Sequence, residues 1–171
     1  VFSRDAMIIT LGASLFHKFG PVIEQSLITL AKNQSANGQI PNAVDTFSSR
    51  KHHVDYLSID STLWFLIGHH YYKKRFGDEL FKKQKKNILK AIIWLHYQDL
   101  GENNMLVQQP TTDWQDAFPH RYGYTINTQA LWYTVLQMYN KRNEAKRLYD
   151  AVNKNPDLAL WNKNFYLSYR W

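Results

Sequence analysis

Apolar residues recur at helical spacing from the start of the chain. Met7, Ile8, Leu11, Leu15 and Phe16 predict a helix over residues 6–18, and Gly20-Pro21 ends it and opens a second with Ile23, Leu27, Leu30 and Ala31 on one face. Periodicity then disappears from residue 33 to about 58, where Asn37-Gly38, Pro41-Asn42 and Ser48-Ser49 mark a long loop. Asp60 or Ser61 is placed to cap a third helix that runs to about Phe76, with Leu63, Trp64, Ile67 and Tyr71 at core spacing, and Gly77-Asp78 turns the chain. A fourth helix, plainly amphipathic, is expected over about 79–97. An irregular stretch from Asp99 to Gly123 leads to a fifth helix over about 126–140, with Ala130, Leu131, Val135 and Met138 inward, and weaker patterns predict helices over about 143–153 and 156–170.

Short turns at Gly20-Pro21, Gly77-Asp78 and Lys141-Arg142 join helices into pairs, and long loops at 33–58 and 98–124 join the pairs. This alternation predicts an all-α chain, residues 1–171 as a single domain of antiparallel helical hairpins. If the hairpins stack side by side, the long loops share one end, and function is expected there.

Composition narrows the chemistry. There is no Cys, which excludes thiol nucleophiles, disulfides and Cys-based zinc sites. No apolar run approaches the roughly 20 residues of a membrane-spanning helix, so no membrane partner is expected. The formal charge of +7 would permit a nucleic-acid partner, but Lys73, Lys74, Arg75, Lys82, Lys83, Lys85, Lys86 and Lys90 supply much of it around one predicted helix. A solvated outer face is the expectation, and no nucleic-acid partner. Six Trp and eleven Tyr are the more unusual excess, since flat rings with a polar edge serve a core or a sugar face equally well. His69 and His70 point about 100° apart on a helix and have no carboxylate one turn on, so no metal and no cofactor are expected. The chain begins with Val1 rather than Met and shows no signal-peptide pattern, so further residues are expected before it, and a cytoplasmic location is slightly favoured.

The densest chemistry lies in the second long loop, Thr112-Asp113-Trp114-Gln115-Asp116-Ala117-Phe118-Pro119-His120-Arg121-Tyr122-Gly123-Tyr124. Glycosidic cleavage needs one carboxylic acid to protonate the leaving oxygen, a second carboxylate to activate water or attack carbon, and aromatic rings to hold the sugar. Asp113 and Asp116 are candidates for such roles. An acidic loop that merely caps the following helix is the plainer alternative.

Asp113-Trp114-Gln115-Asp116-Ala117, followed by Tyr122-Gly123-Tyr124 and Gln129-Ala130-Leu131-Trp132-Tyr133, resembles both the glucosidase domain of glycogen debranching enzymes and the alkaline/neutral invertases. Phe2-Ser3-Arg4-Asp5-Ala6-Met7-Ile8 resembles the opening motif of the debranching domain, and Gly38-Gln39-Ile40-Pro41-Asn42 with Asp60-Ser61-Thr62-Leu63-Trp64 resembles its next two active-site elements, in the same order. The resemblance implies part of an (α/α)6 toroid, hydrolysis with inversion and a carbohydrate substrate. Asp116 matches the general acid, while Arg4, Asp5, Asn42, Asp60, Trp64, Asp113, Trp114, Tyr122, Asn127 and Gln129 are the implied substrate contacts. Asp113 is then a subsite residue, because inverting carboxyls stand about 6.5–9.5 Å apart.

Other uses of these residues stay open: an Arg4–Asp5 surface pair, Asp60 as an N-cap, Trp64 in the core. Where these families often carry Glu ahead of the Ala-Leu pair, this chain has Asn127-Thr128-Gln129, so a hydroxyl contact is expected there and no carboxylate role. Six hairpins need more chain than is present. The remainder of the toroid, with the general base, is expected elsewhere in the intact protein. An invertase-like sucrose hydrolase and a non-catalytic carbohydrate-binding helical domain are the alternatives.

Overall fold

A computed structural model describes residues 1–45, 53–115 and 118–171. Ser48-Ser49, His52 and Asp116 lie outside the described residues. The chain is mostly helical, as the hydrophobic pattern predicts, and divides into two compact units, Val1–Trp94 and Leu95–Trp171.

The first unit is built on three helices, α1 (Ser3–Ala13), α2 (Gly20–Lys32) and α3 (Asp60–Phe76). Proline in the first turn of α2 suits a position whose N–H has no helical partner, and Ile23, Leu27, Leu30 and Ala31 are all buried as their spacing predicts. In α1 only Met7 of the five expected apolar positions is buried, and Ile8, Leu15 and Phe16 are exposed. The helix starts three residues earlier than expected and stops at Ala13, and a short 3-10 turn (His17–Phe19) follows.

Helix α3 is the centre of this unit, packing against both α1 and α2. Asp60, Ser61, Thr62, Leu63, Phe65, Leu66, Ile67, Gly68 and His69 are buried, as a helix enclosed by neighbours requires, while Trp64 and Tyr71 are only half-buried. Gly68 lets α1 approach closely, since a Cβ there would lie 2.3 Å from the Met7 sulfur. The expected cap does not form: Ile59 is the N-cap, without a side-chain hydrogen bond, and Asp60 is the first helical residue.

The single helix expected over 79–97 is two, α4 (Glu79–Lys83) and α5 (Lys85–His96). The break turns Gln84 inward, where its Oε1 accepts from His69 Nε2 at 2.8 Å. Burial pushes the His69 imidazole down to about 4, and only the Gln84 bond opposes the shift. His69 is therefore a neutral core residue at pH 7. The eight basic residues around these helices are all exposed. Among the described residues no His, Cys, Asp and Glu group could hold a metal, and no helix is long and apolar enough to cross a membrane.

The 33–58 loop carries a two-residue antiparallel pair, β1 (Ala43–Val44) with β2 (Val54–Asp55). In the second unit β3 (Tyr124–Thr125) leads into α6 (Ile126–Met138), which packs on α7 (Arg142–Lys154). The buried stripe of α6 is Thr128, Gln129, Trp132, Val135 and Leu136, while Ala130 is exposed. Polarity misleads here because Gln129 and Thr128 face inward to bond the preceding loop: Gln129 clamps both backbone groups of Leu106, and Thr125 and Thr128 donate to Gln108 Oε1.

Residues 156–170 are not the expected helix. Asn155 Oδ1 accepts from the N–H of Asp157 and Leu158, and Asn162 Oδ1 from those of Asn164 and Phe165. These Asx turns compete with helical hydrogen bonding. The segment turns back instead, and β4 (Tyr169–Arg170) pairs antiparallel with β3.

Candidate active site

In the first unit the structure gathers three of the expected substrate contacts, Arg4, Asn42 and Asp60. Helix α1 supplies Arg4 and the first turn of α3 supplies Asp60, whose side chain is fully buried. The guanidinium engages the carboxylate through two bonds, Nε to Oδ2 at 2.7 Å and Nη2 to Oδ1 at 3.2 Å, and Ser58 Oγ donates to the same Oδ1. Such a bidentate pair fixes orientation as well as charge. It replaces the Arg4–Asp5 pairing read from the sequence, and Asp5 is exposed on α1. Asn42 donates Nδ2 to Asp55 Oδ2 at 3.1 Å and accepts from Ser61 Oγ at 3.4 Å, while its carbonyl takes the N–H of Ser3 at 2.9 Å. The opening motif and the Pro41-Asn42 element are thus tied together at the backbone. Asp55, Ser58 and Ser61 complete this cluster, and sequence reasoning missed them. Ser61 lies inside a motif quoted for the resemblance, but the other two carry no signal beyond a loop of polar residues.

The second unit holds the carboxylate-rich loop. Asp113 is buried, and its oxygens are committed: Oδ2 accepts from Arg121 Nη2 at 2.6 Å and Asn127 Nδ2 at 3.4 Å, and Oδ1 from the N–H of Gln115 at 2.9 Å. The Arg121 and Asp113 side chains are 8% and 1% exposed, so this is a desolvated ion pair rather than a surface contact. Arg121 was not singled out from the sequence; a lone base between Asp113 and the following aromatics was the available signal. Its guanidinium carbon lies 5.5 Å from the centre of the Trp114 ring, within cation–π range, and Trp114 remains 55% exposed.

Asp113 therefore anchors the loop, with Trp114 displayed beside it. Two buried polar atoms next to this pair, Arg121 Nε and Asn127 Oδ1, have no hydrogen-bond partner among the described residues. Buried polar atoms are rarely left so, and a donor and an acceptor together suit a hydroxyl-bearing ligand. Tyr122 is half-buried against Tyr169 and Trp171. Gln129 is buried with its amide given over to the Leu106 backbone, while Trp64 is half-buried on α3.

The arrangement is two sets of hydrogen-bonding side chains, one per unit, each built around an Arg–Asp pair whose carboxylate is buried, and one set carries an exposed Trp. No curated protein matches the chain. The sequence does match the family described as amylo-alpha-1,6-glucosidase over residues 2–168, so the chain belongs to that family and is related to the glucosidase domain of glycogen debranching enzymes.

Proposed function

We propose that the protein is an inverting glycoside hydrolase acting on α-glucosidic bonds of oligo- or polysaccharides, with Asp116 as general acid. Family membership across residues 2–168 carries this reading. Asp116 protonates the leaving glycosidic oxygen. Asp113, committed to Arg121, Asn127 and the Gln115 N–H, holds the loop and transfers no proton. Trp114 offers a sugar face, and Asn127 with Arg121 meets sugar hydroxyls. Arg4 and Asn42 contribute a second set of hydroxyl contacts, and the buried Asp60, expected from the sequence to make such a contact itself, instead holds the Arg4 guanidinium in place. The general base is assigned to no residue of this chain, and the remainder of an (α/α)6 toroid supplies it in the intact protein.

The test is product analysis with the intact protein. A branched α-1,6/α-1,4 limit dextrin should release glucose, seen first as the β-anomer by proton NMR. Fructose release from sucrose without glucose release from dextrin would instead support an invertase-like activity. α-Glucose as the first product would exclude inversion.

A further inference from the structure

Residues 169–171 return to the segment that follows the carboxylate-rich loop, and Gly123 is what admits them. Its φ is +73°, and a Cβ there would lie 2.5 Å from the Arg170 carbonyl oxygen and 3.3 Å from the Trp171 ring. Only glycine allows that approach without displacing backbone. The pairing of Tyr124 with Arg170 and of Thr125 with Tyr169 fixes the register. As a result Trp171 stands edge-on to Tyr122, ring centres 4.7 Å apart at 67°, and Tyr169 lies 5.8 Å from Tyr122 at 42°. Trp171 is 80% exposed, and Tyr122 and Tyr169 are half-buried, so the cluster presents ring surface instead of closing on itself.

The cluster is continuous with the proposed site. The residue before Tyr122 is Arg121, which holds Asp113 and lies against Trp114. Two consecutive residues, Arg121 and Tyr122, thus each lie against an exposed Trp, Trp114 and Trp171 respectively. Flat rings edged by phenol hydroxyls and an indole N–H complement a glucopyranose, whose ring has an apolar C–H face and a rim of hydroxyls. We propose that Tyr122, Tyr169 and Trp171 form an aromatic platform that binds a glucosyl unit of an α-glucan chain next to the one being cleaved. This deepens the function proposed above and rests on it for the substrate class.

The experiment uses the intact protein with Asp116→Asn, which separates binding from turnover, and titrates maltoheptaose by calorimetry. Adding Trp171→Ala or Tyr169→Ala should weaken binding about tenfold, the order of a lost ring-stacking contact. Trp171→Phe, which keeps a flat ring, should stay within about threefold. With Asp116 left intact, Trp171→Ala alone should raise KM for the dextrin with kcat nearly unchanged, a split that a merely structural role would not give. Unchanged affinity in Trp171→Ala, or Trp171→Phe as weak as Trp171→Ala, overturns the platform. If the protein hydrolyses no α-glucan, the proposed activity fails by itself, and the maltoheptaose titration still decides the platform.

Discussion

Arg121→Met tests whether the carboxylate-rich loop is held by a desolvated charge pair. The Nη2–Oδ2 separation is 2.6 Å with both side chains almost fully buried. At an effective dielectric of about 20, that distance corresponds to about 6 kcal/mol of attraction, much of it offset by the cost of drying both ions. Methionine fills similar volume but leaves Asp113 facing only the Gln115 N–H and a 3.4 Å contact from Asn127. Breaking a buried pair from one side costs about 3–5 kcal/mol. With a urea m-value of about 2 kcal/mol per molar, the unfolding midpoint should fall by about 2 M. Lys154–Asp150 provides the control, because its 2.7 Å separation is nearly the same while its side chains are 69% and 40% exposed. Lys154→Met should leave the midpoint where it is, since solvent already screens that pair. The double variant Arg121→Met/Asp113→Leu should recover most of the loss, as the unpaired charge is gone. An Arg121→Met midpoint equal to wild type, or a double variant no better than the single, would refute the desolvated-pair account.

Other consequences follow from the first unit. His69 carries a folded-state value of about 4 against an ordinary 6.5, so on acidification the unfolded chain takes the proton first; stability is full above about pH 6.5 and falls by about 3 kcal/mol down to about pH 4. Urea midpoints measured across that window should lose most of this slope in His69→Leu, and an unaltered slope would assign the pH dependence elsewhere. Gly68→Ala forces a Cβ to 2.3 Å from the Met7 sulfur and should cost about 1–3 kcal/mol despite the better helix propensity of alanine. Met7→Ala should relieve part of that cost in a double-mutant cycle followed by thermal melting, and strict additivity would show that the two residues do not meet.

Apolar spacing was most informative where one side of a helix is apolar and the other wet along its whole length. Helix α2 is such a case, and its four expected core residues are the buried ones. For α3 the pattern gave the bounds and the burial of Leu63 and Ile67, but it did not mark Ser61, Thr62 and His69, which a helix enclosed on most sides also buries. On α6 it erred by one position, since Gln129 is buried for its hydrogen bonds to Leu106 and apolarity pointed to Ala130. Residues 156–170 had helical spacing, but Asn155 and Asn162 spend their side chains on local turns, a competition that apolar spacing does not register. At the candidate site, the short motifs named Arg4, Asn42 and Asp60 as substrate contacts, and the structure brings the elements that carry them together. They did not reveal the partner of Arg4: the plain alternative was a surface pair with the adjacent Asp5, whereas Asp60, which it bonds, is 56 residues away. Arg121 escaped notice for the same reason: its role comes from pairing with Asp113 across the loop.

In the proposed reaction Asp116 donates the proton that releases the leaving group. Asp116→Asn in the intact protein should retain the wild-type melting temperature and maltoheptaose affinity while glucose release from the branched dextrin falls by about a thousandfold, within the range typical of general acid–base catalysis. Hydrolysis by Asp116→Asn at a rate near wild type would contradict the account.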